Sequence, residues 1–265
     1  MIEIRFMKLH GAENDFLLSW ADQVPQRELP DLARRICART TGIGADGWML
    51  VAREGGGLRT RLFNSDGSEP EISGNGTRCA AAFGIVTGAV TPPDILVLTA
   101  AGSKRLALKS REGNRFLFEM DMGPPRIDEL SASIRLLGRD FHATLLNVGN
   151  PQCAIFVQQL PADWRTLAEH CERDHRFPQR TNVSFVQVVD RHTLQVVFFE
   201  RGAGETRSSG TGSTGAACAA ILRGVAESPV EIRTPAGSMV LRWDDSVYLT
   251  GPAEIIGEGT FFLDL

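Results

Sequence analysis

Apolar and polar positions alternate along most of the chain, and that alternation predicts strands. Residues 2–9, IEIRFMKL, place apolar side chains at roughly every second position, and FLLSW resumes an extended run after the turn HGAEND, so the chain opens with a hairpin-like unit. The period then changes. Pro25 to Pro30 open a helix in which LARRICAR (32–39) places Leu32, Ile36 and Cys37 at helical spacing, with solvated arginines on the other face. Beyond the glycine-rich TGIGADG (41–47), WMLVA suits a buried strand and RTRLFN alternates again. TRCAAAFGIVTGAV is small, apolar and free of proline, which predicts a buried helix ending at Gly88. ILVLTAAG, KRLALK and RFLFEMDMG follow as strands, and the prolines at 124–125 break any continuing element.

The pattern then repeats. FNSDGSEPEISGNGTRCAAA (63–82) and FERGAGETRSSGTGSTGAAC (199–218) align at an offset of 136, pairing Phe63 with Phe199, Glu69 with Glu205, Ser73 with Ser209, and Gly74 and Gly76 with Gly210 and Gly212. Asn14 and Asn150 are also 136 apart, and LTAAGSKRL (98–106) resembles RTPAGSMVL (233–241). The second half reads ATLLNVGNP, a helix near DWRTLAEHCERD, NVSFVQVV, LQVVFFE, a helix to Gly224, VEIRT, SMVLRW and VYLTG. This predicts an α+β protein of two similar lobes, each a curled mixed β-sheet around a central helix, related by internal duplication. The expected lobes are 1–122, joined by a returning 258–265, and 123–257, with one site between them.

Charge and cysteines narrow the function classes. A net charge of −4 with 28 basic residues gives no broad basic field, so nucleic acid is not an expected partner. No apolar run is long enough to span a membrane, the start does not read as a signal peptide, and the cytoplasm is the expected location. Five cysteines without a CxxC argue against a zinc site or a disulfide framework; Cys79 and Cys218, among alanines, read as small buried apolar residues.

The duplicated loops carry the candidate chemistry. A glycine loop entering a helix N-terminus offers unpaired backbone N–H groups and the positive end of the dipole. Two such turns, at Gly74-Asn75 and Gly210-Thr211, suit a substrate carboxylate on which charge develops as an α-proton leaves. Ser73 and Ser209 open the two loops, on opposite sides as an acid and base pair would need, though a serine at a helix start is most often an N-cap. Asn64, Asn150, Asn182, Glu200 and Arg201 form a polar set matched to the zwitterionic end of an amino acid.

MKLHGAENDF, TGIGADG, RLFNSDGSE, SGNGTRCAA, NVGNPQC, RTNVSFVQ, ERGAGET and SGTGS resemble, in order and across nearly the whole chain, the successive signatures of diaminopimelate epimerase. The resemblance implies a two-lobed enzyme of lysine biosynthesis without a cofactor, acting on LL- and meso-diaminopimelate through two cysteines as paired acid and base. It implies that Asn64, Asn150, Asn182, Glu200 and Arg201 hold the non-reacting amino-acid end. The reacting carboxylate would rest on backbone N–H groups of Gly74, Asn75, Gly210 and Thr211, with Asn14 a further substrate contact.

The departures from that family are specific. Its CGNG and CGSG loops are SGNG at Ser73 and SGTG at Ser209, its NPHC is NPQC at Gln152, and its glutamine after GIGxD is Gly47. A serine hydroxyl is roughly five pKa units less acidic than a thiol, on the order of 7 kcal/mol more to ionise. Proton transfer through Ser73 and Ser209 is therefore expected to be slow unless Glu200, Glu13 or Asp46 acts as base. Three functions follow: an amino-acid epimerase of this type, impaired or altered; an isomerase or elimination enzyme on the same scaffold; or a non-catalytic amino-acid-binding relative. No lysine sits in a motif for a pyridoxal Schiff base and no His/Cys/Asp cluster has metal-ligand spacing, so the expected cofactor is none. The expected partner is a small-molecule amino acid, and a homodimer is the assembly considered.

Overall fold

The computed structural model describes residues 2–263; those parts of the lobe expectations that fall on Met1, Asp264 and Leu265 lie outside the described residues. The elements in order are β1 (Ile2–Gly11), β2 (Asn14–Trp20), α1 (Leu29–Cys37), β3 (Gly47–Glu54), β4 (Gly57–Asn64), α2 (Gly74–Val86), β5 (Asp94–Thr99), β6 (Gly102–Glu112), β7 (Arg115–Asp121) and β8 (Arg126–Leu136). They continue with β9 (Arg139–Asn147), β10 (Pro151–Phe156), α3 (Trp164–Glu172), β11 (Asn182–Asp190), β12 (Thr193–Glu200), β13 (Gly204–Thr206), α4 (Gly210–Leu222), β14 (Val230–Thr234), β15 (Gly237–Trp243) and β16 (Val247–Leu263). The chain divides into two compact units, one running to Met120 and resuming at Gly251, the other Asp121–Thr250. The fold is the α+β arrangement of two similar lobes that the duplication predicts.

In the first unit the strand order is β1-β2-β3-β4-β5-β6-β7-β16, and β16 pairs back onto β1 from Ile2↔Leu263 to His10↔Glu254, closing the sheet on itself. The helix α2 fills this ring. All of its residues from Gly74 to Gly84 are buried, which the composition GNGTRCAAAFG allows because small side chains let strands approach from every side. Outside the ring α1 covers Trp48, Phe63, Ile4 and Leu17 with Leu32 and Ile36. It begins at Leu29, later than Pro25, because Glu28 adopts φ 55 as its N-cap, and it stops at Cys37 because Ala38 is extended.

In the second unit the order is β16-β15-β14-β12-β11-β10-β9-β8, with β13 paired to β12. The helix α4 is buried from Gly210 to Ala220, and α3 packs Trp164, Leu167 and Cys171 against Cys153, Val183 and Phe185. The parallel pairs fall at duplicated places, β2 with β3 and β10 with β11, then β4 with β5 and β12 with β14, so both sheets are mixed. Strand β8 escapes the sequence reading, as does the short β13 in what reads as a loop; in β8, Ala132, Ile134 and Leu136 alternate as buried positions behind an exposed first half. Among the described residues, no helix is long and apolar enough to cross a membrane.

Candidate active site

The duplicated loops fold alike. Ser73 caps α2, its Oγ accepting from Gly76 N at 3.1 Å, and Ser209 caps α4, its Oγ accepting from Gly212 N at 3.0 Å. Both helices carry a closely packed glycine at the third position. A Cβ on Gly76 would sit 2.8 Å from Met49 Cε, and one on Gly212 would sit 2.7 Å from Phe198 Cδ1. Gly74-Asn75 and Gly210-Thr211 precede the first bonds closed within each helix, Thr77 N to Ser73 O and Ser213 N to Ser209 O, so their N–H groups take no part in the helix's own ladder. The serines thus do what N-caps do, and each still presents a hydroxyl hydrogen.

In the first unit a polar chain supports that turn. The buried Asn75 donates from Nδ2 to Asn14 Oδ1 at 3.4 Å, and Asn14 Nδ2 donates to Asp46 Oδ2 at 2.7 Å. Arg78, fully buried one turn into α2, donates from Nη2 to Asn75 Oδ1 and from Nε to Pro252 O, the latter at 3.0 Å. Burial pushes the Arg78 guanidinium down to about 10, which leaves it charged at neutral pH. Asn64, at the end of β4, donates to Ser68 Oγ at 3.0 Å within its own turn. Asp46 receives Arg39 at 2.7 Å, and Asp15 beside it is ion-paired to Lys8 and Arg39, each at 3.1 Å. Burial raises the Asp15 carboxyl, but the hydrogen bonds and charges of Arg39 and Lys8 outweigh it and hold it below the usual range. Glu13 is exposed at φ 62.

Gly47 lies on β3 opposite Asn64. A Cβ there would come within 2.9 Å of Phe63 O and 3.0 Å of Leu62 Cδ1, so a side chain would displace the strand pairing.

In the second unit Asn150 Nδ2 donates to Thr211 Oγ1 at 3.2 Å, the duplicate of the Asn14–Asn75 contact, and the buried Gln152 donates from Nε2 to Asn150 Oδ1 at 2.6 Å. Asn182 is held by Pro151 O at 2.9 Å and accepts Arg201 N on Oδ1 at 3.0 Å. That bond fixes the backbone just after Glu200, the last residue of β12, and Arg201 Nη1 reaches Gln179 O at 3.3 Å.

A residue the sequence reading missed completes this group. Glu172, at the end of α3 and only 2 % exposed, accepts Gly202 N at 3.1 Å and lies 3.4 Å from both Arg180 and Arg173. No repeat partner or motif marks Glu172; an acid ending an amphipathic helix reads as solvated.

Other acids and thiols of the repeat have structural uses. Glu69 and Glu205 are ion-paired to Arg61 at 2.9 Å and Arg165 at 2.5 Å, and those hydrogen bonds lower both carboxyl pKa values. Cys79 and Cys218 are buried, and burial pushes each thiol up to about 12. Among the described residues, no group of three or more His, Cys, Asp and Glu could hold a metal ion.

The family model for diaminopimelate epimerase matches residues 6–127 and 144–256. The diaminopimelate epimerase of Moorella thermoacetica is 39% identical over 98% of this chain and 100% of its own length, and that of Pelotomaculum thermopropionicum 36% over 97% and 99%. Among solved structures, a hydroxyproline epimerase from Agrobacterium vitis with bound trans-4-hydroxy-L-proline superposes with a TM-score of 0.77 at 17% identity, covering 100% of this chain and 94% of that one. A predicted epimerase from Pseudomonas aeruginosa gives 0.73 at 15%, covering 98% and 100%. At those identities the likeness is one of fold.

Proposed function

Because the chain belongs to the diaminopimelate epimerase family, we propose that it is a cofactor-independent isomerase acting at Cα of diaminopimelate, in the cytoplasm and in lysine biosynthesis. One observation carries the reading: each unit presents a serine-capped helix N-terminus of the same geometry, with Ser Oγ to Gly N at 3.1 Å and 3.0 Å, braced by an asparagine 61 residues away in sequence. Gly74, Asn75, Gly210 and Thr211 then supply N–H donors to the carboxylate next to the reacting carbon, and their fixed dipoles stabilise the charge that develops on it as the α-proton leaves. Asn64, Asn150, Asn182, Glu200 and Arg201 are the proposed holders of the distal amino-acid end, with Asn14 as a further contact.

Ser73 and Ser209 are the proposed proton-transfer pair, one from each unit, with hydroxyls where the family resemblance places thiols. Each already accepts its helix N–H, a bond that favours the alkoxide form. Glu200 is the carboxylate in this set able to take a proton. The chemistry is removal of the α-hydrogen as a proton and return of a proton to Cα, with no net oxidation. The test is incubation of LL-diaminopimelate with the protein in deuterium oxide, followed by chiral chromatography. Meso product labelled at one Cα supports the reading; binding without label, or labelled product of another connectivity, refutes it.

A further inference from the structure

The two braces have opposite polarity, although the duplication makes them equivalents. In the first unit the helix residue gives: Asn75 Nδ2 donates to Asn14 Oδ1, its own Oδ1 being occupied by Arg78 Nη2. In the second unit the helix residue receives: Asn150 Nδ2 donates to Thr211 Oγ1 at 3.2 Å. Gln152 stands behind this arrangement. Its Nε2 donates to Asn150 Oδ1 at 2.6 Å, which turns the Asn150 NH2 group toward Thr211. Reversing the Gln152 amide alone would set two oxygens at that distance. The Gln152 stem is held in place: the residue is 3% exposed, and a Cβ on Gly215 would be only 3.0 Å from its Cγ, so it lies flat on α4 where that helix has no side chain, with its Oε1 buried and unpartnered.

A threonine oxygen that accepts from Asn150 keeps its hydroxyl hydrogen for another acceptor. Thr211 stands at the second position of α4, in the turn whose Gly210 and Thr211 N–H groups are the proposed anion donors. We propose that Gln152 is a positioning residue which, through Asn150, presents the Thr211 hydroxyl as a third donor to a ligand carboxylate at the α4 N-terminus. This rests on the reading of that turn as the carboxylate site. It gives Gln152 a use other than carrying a proton: its amide offers a fixed donor at any pH, whereas a histidine there would change its donor count on titration.

Two measurements test this separately from the functional reading. In the free protein, hydrogen exchange of the Asn150 side-chain NH2 group, followed by nitrogen-15 spectroscopy, is expected to speed up at least about tenfold in Gln152→Met and in Thr211→Val. Thr211→Ser should stay within about threefold of the parent. Unchanged exchange in both of the first two variants overturns the relay whatever the protein binds. On the bound side, calorimetry with LL-diaminopimelate is expected to show Gln152→Met and Thr211→Val each weakening binding about tenfold, about 1.4 kcal/mol, with Thr211→Ser near the parent. In the Thr211→Val background Gln152→Met should cost less than about twofold, because its effect passes through that hydroxyl. Additive losses overturn the proposal. A parent protein that binds no diaminopimelate refutes the functional reading alone, and the exchange measurement still decides the relay. If Gln152→Met does not fold, the contrast of Thr211→Val with Thr211→Ser in both measurements decides.

Discussion

Replacing Glu172 tests whether the loop carrying Glu200 and Arg201 is held from behind. The Glu172 carboxylate is 2 % exposed, receives Gly202 N at 3.1 Å and faces Arg173 and Arg180 at 3.4 Å. A hydrogen bond to a charged acceptor contributes about 1.5–3 kcal/mol. Both arginines are more than half exposed, at 60% and 52%, so rehydration offsets most of what they lose and their share is at most about 1 kcal/mol. Glu172→Ala is therefore expected to lower unfolding stability by about 2–4 kcal/mol. Glu172→Gln keeps an oxygen for Gly202 N but makes it a neutral acceptor and drops both arginine pairings, so it should cost about 1–2 kcal/mol, less than the alanine variant. Urea unfolding reads the stability, and calorimetry reads diaminopimelate affinity under conditions where both variants are folded. The alanine variant should lose at least about tenfold in affinity and the glutamine variant less than about threefold, since the loop is pinned by an acceptor rather than by a charge. Equal affinity in the parent and Glu172→Ala refutes the view that this carboxylate places Glu200 and Arg201.

Ser73→Ala and Ser209→Ala each remove an N-cap acceptor and should cost about 1 kcal/mol of stability in urea unfolding; no loss in either would mean the caps are idle. Arg201→Ala is expected to cost a few kcal/mol of diaminopimelate binding by leaving a carboxylate unpaired, and unchanged affinity would remove Arg201 from the distal site. Because Asp15 has a folded pKa below its unfolded one, its contribution is fully present above the unfolded value of about 3.9 and is lost as pH falls through the folded value. Asp15→Asn should accordingly flatten the fall of stability below about pH 4, and an unchanged acid limb would contradict the pairing with Lys8 and Arg39. Cys79 and Cys218, buried with thiols near 12, should resist alkylation by iodoacetamide at pH 8 until the protein unfolds.

Much of this architecture is legible in the sequence because it is written twice. The offset of 136 places both capped helices, and the small residues of TRCAAAF and STGAACAA require a helix enclosed on all sides. The family signatures bring in the asparagines, Glu200 and Arg201 by type. Contacts between segments far apart in sequence without a motif are not legible. Glu172 reads as a solvated helix end until Gly202 is seen against it, and nothing in the sequence names Asn75 and Pro252 as the acceptors that let Arg78 lie buried in α2. Gln152 reads as a lost histidine; only its 2.6 Å bond to Asn150 gives it a direction. Strand β8 is obscured because Ile127 and Leu130 are exposed, so its first half carries no alternation.

The central claim is that the binding groups are in place while both acid and base positions hold hydroxyls. The direct measurement is the rate of α-proton exchange of LL-diaminopimelate in deuterium oxide for this protein and for the Ser73→Cys, Ser209→Cys double variant, with affinities measured alongside. Sulfur in place of oxygen removes up to about 7 kcal/mol from forming the anion, so the account predicts similar affinities and exchange faster by orders of magnitude in the double variant, with each single variant gaining much less. Exchange by the unmodified protein as fast as by the double variant would contradict the account and move the proton to another residue.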